Sequence, residues 1–106
     1  MKLLIIEDDI NLATTLARRL TKHGFNCEIT HNQTDALLKA RQQQPDCILL
    51  DMKLADENGL SLIAPLRHLL THAHIVLLTG FASIATAVEA MRLGANDYLT
   101  KPVDMA

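Results

Sequence analysis

The chain has 106 residues, 49% of them hydrophobic, which suits one domain with a substantial core and leaves no length for a second. A formal net charge of −2 gives no electrostatic ground for holding nucleic acid or a membrane surface directly. The apolar start from Met1 to Ile6 is broken at once by Glu7, Asp8 and Asp9, too short for a signal peptide or a spanning helix, so a soluble cytoplasmic protein is expected.

Leu3 to Ile6 is a branched apolar run ended by acids and reads as a buried parallel strand. Ala13, Leu16, Ala17 and Leu20 then recur at helical spacing, with Asp9 or Asn11 as the cap and Gly24 as the stop after Lys22-His23. Phe25 to Thr30 is a second strand. A helix opened by Asn32 or Thr34 runs through Ala36, Leu37 and Ala40 until Pro45; its narrow apolar face predicts the loosest packing in the chain. Cys47 to Leu50 is a third strand ended by Asp51, and a loop with Asp56, Asn58 and Gly59 follows. Leu62, Ile63, Leu66, Leu69 and Leu70 form a helical stripe in which Pro65 fits only in the first turn or at a bend. Ile75 to Leu78 is a fourth strand ended by Thr79-Gly80. Ser83 caps a helix bearing Ile84, Ala87, Val88 and Met91, with Gly94 as its stop, and Asp97 to Thr100 is a fifth strand leading into Lys101-Pro102.

Strands apolar on both faces, alternating with helices, imply a parallel sheet between helix layers with right-handed crossovers. No sequence remains for a fifth helix, so residues 1–106 are expected to be one truncated domain of a longer protein with the last strand uncovered on one flank. A homodimer or an exchanged element is expected to compensate. Cys27 and Cys47 lie inside apolar runs and read as buried reduced thiols, with a redox-sensing pair as the sharper alternative. His68, His72 and His74 do not make a convincing zinc set, because the helix ends before His74 and no cysteine is near. His23 and His31 read as solvated ends of elements.

In an open parallel sheet the site lies off the carboxyl ends of the strands. Those ends carry Glu7-Asp8-Asp9, Asp51, Thr79 and Lys101. Crowded carboxylates repel, and the remedy is a divalent cation with a preference for oxygen, for which Mg²⁺ is the natural fit. Such a metal, with the fixed charge of Lys101, would neutralise an incoming phosphoryl group, leaving Asp51 as the nucleophilic carboxylate.

The segments Ile6-Glu7-Asp8-Asp9, Leu49-Leu50-Asp51-Met52 with Gly59, Leu78-Thr79-Gly80 and Tyr98-Leu99-Thr100-Lys101-Pro102 together resemble the receiver domain of bacterial response regulators. The stretch from Gly80 to Pro102 is most similar to the redox-responsive global regulators, whose longer chains append a helix-turn-helix domain. The resemblance implies a flavodoxin-like doubly wound five-stranded parallel sheet of order 2-1-3-4-5. It implies Asp51 as phosphoacceptor for a sensor histidine kinase, with Asp8 and Asp51 on Mg²⁺, Glu7 acting through water, and the Lys53 backbone carbonyl completing the metal's ligands. Thr79 is the hydroxyl on the phosphoryl oxygens, Lys101 their cation, and Tyr98 the aromatic partner of Thr79 in the switch. The Lys101-Pro102 bond is expected to be cis, and DNA would be reached only through a domain beyond this chain. Lys53 and Phe81, each two residues past a site residue, are expected to tune dephosphorylation.

Three other readings compete. A cofactor-binding flavodoxin-like module lacks a glycine-rich phosphate loop after the first strand. A phosphohydrolase resembling the haloacid dehalogenases would carry an acid where Lys53 stands. A receiver that serves only as a binding surface is disfavoured by the intact set of acids, Thr79 and Lys101.

Overall fold

The computed structural model of the chain describes residues 1–54, 57–80 and 83–101; Asp56, Phe81 and Pro102, each singled out above, lie outside them. The elements run β1 (Lys2–Ile6), α1 (Ile10–Lys22), β2 (Asn26–Thr30), α2 (Gln33–Gln43), β3 (Cys47–Asp51), β4 (Lys53–Leu54), β5 (Glu57–Asn58), α3 (Leu60–Leu69), β6 (His74–Thr79), α4 (Ile84–Leu93) and β7 (Asp97–Thr100). Five strands form one parallel sheet in the order β2-β1-β3-β6-β7. With the small antiparallel pair β4-β5 set aside, this is the expected 2-1-3-4-5 order of a flavodoxin-like fold.

Alternation along the central strands sends side chains to two cores. Leu4, Ile6, Ile48, Leu50, Ile75 and Leu77 meet Ala36, Ala40, Leu62, Ile63, Leu66 and Ala90 from α2, α3 and α4. Leu3, Ile5 and Leu78 meet Ala13 and Leu16 from α1 on the other face. The outer strands are less apolar than the sequence suggests: Asn26 and Glu28 of β2, and Asp97, Leu99 and Thr100 of β7, are exposed, because an edge strand needs cover on fewer sides.

Helix starts follow capping chemistry. Asp9 accepts the Leu12 amide at 3.1 Å, Asn32 that of Asp35 at 2.9 Å, and Ser83 that of Thr86 at 3.0 Å. Gly24 and Gly94, with φ of 95° and 120°, let the chain leave α1 and α4; at the end of α2 Gln44 takes a left-handed turn at φ 47°. The apolar face of α2 is narrow, burying two alanines and leaving Leu38 exposed, yet α2 is not the most loosely packed helix as expected: α4 buries Ala90 alone and exposes Ile84, Val88 and Met91.

One further expectation is narrowed by the structure and another is corrected. Pro65 sits in the second turn of α3, where it denies Ser61 a helical hydrogen bond; both residues are exposed, so water can serve that carbonyl. Cys27 and Cys47 are half buried rather than buried. Leu3 is the register partner of both, so the cysteines stand two strand spacings apart, about 9–10 Å. A disulfide within one molecule tolerates at most about 7 Å between Cα atoms.

The sequence did not foreshadow one structural anchor. Arg67 of α3 donates to the carbonyls of Gly94 at 3.0 and 2.9 Å, Leu70 at 3.1 Å and Ala73 at 2.7 Å, and to Asn96 Oδ1 at 2.5 Å. It binds the carboxyl end of α4 to the amino end of the sheet.

Candidate acidic site at the carboxyl edge of the sheet

Parallel pairing delivers the ends of β1, β3, β6 and β7 to one edge. Asp51 is the register partner of Leu78, one residue short of Thr79, and Thr79 is the partner of Thr100, one residue before Lys101. Backbone bonds tighten the edge: Met52 donates to the Leu78 carbonyl at 2.9 Å and Lys101 to the Thr79 carbonyl at 2.7 Å. A cleft of about 430 Å³ results, lined by Glu7, Asp8, Asp51, Lys53, Thr79 and Lys101 among others.

Glu7, Asp51 and Thr79 are only 2%, 5% and 2% exposed. The Lys101 ammonium lies 3.2 Å from Asp51 Oδ1 and 3.4 Å from Glu7 Oε2, so it bridges the two buried acids. The Lys53 amide also donates to Asp51 Oδ1, at 3.4 Å, while the Lys53 side chain is exposed. The Asp9 amide donates to Glu7 Oε1 at 3.2 Å. His31 is exposed, as expected, yet its Nδ1 lies 2.7 Å from the Glu7 carbonyl; a carbonyl only accepts, so that nitrogen carries the proton. Tyr98 is half buried against the core, with its hydroxyl accepting the Ser83 amide at 3.4 Å at the start of α4.

Burial, hydrogen bonding to Asp51 and the charge of that neighbour raise the Glu7 carboxyl from 4.5 to about 7, against the opposing pull of the Asp9 amide and of Lys101. For Lys101, partial burial draws the pKa down but the carboxylates of Asp51 and Glu7 outweigh it, and the net movement is upward. Glu7 Oε2 is buried and accepts no well-formed hydrogen bond among the described residues, while lying in ion-pair range of Lys101. Glu7, Asp8 and Asp51 each bring a carboxylate oxygen within 4.8 Å of the others. A proton can satisfy that orphaned oxygen, and so can a divalent cation. Three hard oxygen donors, one of them unsatisfied, fit the cation.

Gly59, read from sequence as a loop residue and as part of the motif around Asp51, proves to be a close-approach residue. A methyl group there would lie 2.1 Å from the Asp51 carbonyl oxygen. Its amide bonds the Met52 carbonyl, folding the segment after Asp51 back onto the strand end. The β4-β5 pair, matching Lys53 with Asn58, was not visible in the sequence, because its polar composition carries no alternation.

The chain spans about half the length of the curated relatives it matches. It is 41% identical over 102 residues to the photosynthetic apparatus regulatory protein RegA of Rhodobacter capsulatus, covering 96% of this chain and 55% of that one. It is 39% identical to the acid tolerance regulatory protein ActR of Rhizobium meliloti (strain 1021), over 96% of this chain and 53% of that one. Among solved structures it superposes with a TM-score of 0.94 and 45% identity on a response regulator from Burkholderia pseudomallei that carries a phosphorylated aspartic acid, a calcium ion and citrate, covering 97% of this chain and 61% of that chain. A CheY-like receiver domain protein from Methanospirillum hungatei JF-1 gives a TM-score of 0.91 at 28% identity, over 97% of this chain and 82% of the other. The response regulator receiver domain family matches residues 3–106, and with the sheet order and the acidic edge described above, the chain belongs to that family.

Proposed function

We propose that the chain is a phosphorylation-driven switch in which Asp51 accepts a phosphoryl group from a sensor histidine kinase. The observation that carries this is the Asp51 carboxylate, 5% exposed yet lining an open cleft, with the Lys101 ammonium 3.2 Å from one of its oxygens. In the transfer a carboxylate oxygen of Asp51 bonds to phosphorus as the phosphorus–nitrogen bond of the donor phosphohistidine breaks, and the departing imidazole recovers a proton from solvent.

Asp8 and Asp51 would hold Mg²⁺ with the Lys53 carbonyl, and Glu7 would act through water; the metal supplies charge neutralisation when bound. Lys101 contributes a fixed positive charge, and Thr79, buried beside it, a hydroxyl for the phosphoryl oxygens. Phosphorylation exchanges the single charge of the Asp51 carboxylate for the nearly two of a phosphoryl group and brings strong acceptor oxygens, which favours a Thr79 rotamer turned toward them, and Tyr98 conveys the change to the start of α4. Lys53 and Phe81 tune the lifetime of the adduct. The domain works on itself rather than on an external substrate.

The greater length of its regulatory relatives supports a further, transcription-regulating domain of the redox-responsive type, through which DNA would be contacted. The proposed transfer from a kinase would take place in the cytoplasm; separately, among the described residues no helix is long and apolar enough to cross a membrane. Exposed Ile84, Val88 and Met91 on α4, with Leu99, favour a homodimer or exchanged assembly, which light scattering across a concentration series checks.

The deciding experiment incubates the protein and Asp51→Asn with a small phosphodonor and Mg²⁺ and measures intact mass. A phosphoryl adduct on the wild type alone is expected. Absence of an adduct on the wild type, or an equal adduct on both, refutes the assignment.

A further inference from the structure

We infer that Gln33, at the start of α2, is a positioning residue for the backbone that faces Asp51. The inference rests on the phosphoacceptor reading for its consequence, though its geometry stands apart from it.

The pair β4-β5 contains two residue pairs, Lys53 with Asn58 and Leu54 with Glu57. So short a ladder is not stable unaided. It matters because Lys53 lends its amide to Asp51. The frame reaches it through Gln33. The Gln33 backbone amide, one of the free donors at the start of α2, bonds Glu57 Oε1 at 3.3 Å. Its side-chain nitrogen bonds the Asn58 carbonyl at 3.3 Å and Ser61 Oγ at 3.0 Å.

Proton direction fixes which end of the amide faces inward. The Ser61 hydroxyl donates to the Asn58 carbonyl at 2.6 Å, so its oxygen is left to accept from Gln33. Both hydrogens of the Gln33 nitrogen are thereby used. Reversed, the amide would set oxygen against oxygen at Asn58. One side chain thus ties α2 to β5 and to the first turn of α3, 18 residues before the acid it serves (51 less 33).

The same geometry supplies a variant that separates positioning from general stability. Gln33→Glu keeps the shape but turns donors into acceptors and brings a negative charge toward Glu57 and the Asn58 carbonyl. At the first position of α2 that charge is favoured by the helix dipole, so the helix itself gains. The tether should fail while the fold does not.

The test compares wild type, Gln33→Glu and Gln33→Ala in three measurements: the phosphodonor concentration dependence of Asp51 labelling with Mg²⁺, amide exchange of the metal-free protein, and the urea midpoint. For Gln33→Glu the limiting labelling rate should fall about fivefold with half-saturation unchanged. Exchange should quicken at Lys53, Leu54 and Asn58, the urea midpoint should hold or rise, and Gln33→Ala should lie between. Wild-type labelling and exchange in Gln33→Glu overturn the inference. So does a fall in midpoint with faster exchange across the whole sheet, which is the mark of an ordinary structural role. If the wild type forms no adduct, the phosphoacceptor reading fails, while the exchange data still decide whether Gln33 holds the hairpin.

Discussion

Raising the pH should weaken the metal-free protein, and Glu7 should be the reason. The folded state holds the Glu7 proton up to about 7, the unfolded chain only to the ordinary 4.5. Between those values the folded state binds more protons, so the free energy of unfolding falls as pH rises. The contribution is complete below 4.5 and gone above about 7. At roughly 1.4 kcal/mol per pH unit the window sets a ceiling of about 3 kcal/mol. Glu7 is 2% exposed but its cleft is open, and solvent screening reduces this to about 1–2 kcal/mol. The assay is urea unfolding in chelator, followed by far-ultraviolet circular dichroism between about pH 5 and pH 8. The informative quantity is the difference between wild type and Glu7→Gln, because the variant lacks the Glu7 titration and every other pH effect common to the two cancels. The variant should gain about 1–2 kcal/mol on the wild type across the range. A difference that stays flat with pH refutes the reasoning. Added Mg²⁺ should act in the opposite sense, stabilising more at high pH, because it competes with the proton for ionised carboxylates.

Other substitutions probe the remaining contacts. Lys101→Met strips Asp51 and Glu7 of their shared cation and should cost about 1–2 kcal/mol in chelator at pH 8. It should also move the Glu7 transition to higher pH, both effects being read from urea midpoints. Gly59→Ala forces a methyl group onto the Asp51 carbonyl and should cost about 2–4 kcal/mol together with most of the phosphodonor labelling. Arg67→Ala should lower stability by about 2–4 kcal/mol by urea unfolding, and Arg67→Lys should recover little of it, because one ammonium cannot reproduce the fork on Gly94 and Asn96. Leu50→Ala empties a fully buried position directly before Asp51; about 2–5 kcal/mol should be lost while Mg²⁺ affinity, measured by calorimetry below the melting range, changes little.

The central strands were legible because a parallel sheet covered on both faces demands continuous apolar runs, and Leu3 to Ile6, Cys47 to Leu50 and Ile75 to Leu78 supply them. The acidic site was legible for the same reason: a strand that stops abruptly at Glu7 or Asp51 announces the edge where ligands meet. What stayed hidden depends on partners distant in sequence. Gln33 looks like any polar residue opening a helix until β5 is seen beside it. Arg67 looks like a surface cation near a helix end, and only the carbonyls of Leu70, Ala73 and Gly94 give it work. Where Pro65 falls along α3 could not be read from the sequence, because solvent at Ser61 eases the constraint that a buried helix would impose. The exposure of the cysteines was misjudged because run composition does not report which flank of a strand is covered.

The bridge from Lys101 to Glu7 and Asp51 spans nearly the whole chain, from the end of the first strand to just past the last. A molecule in which β7 has not yet docked against β6 therefore possesses the acids without their cation. If Asp51 is the phosphoacceptor proposed above, labelling by a phosphodonor should report completed assembly, and in a refolding series the mass of the adduct should rise with the last structural phase rather than with the first gain of helix.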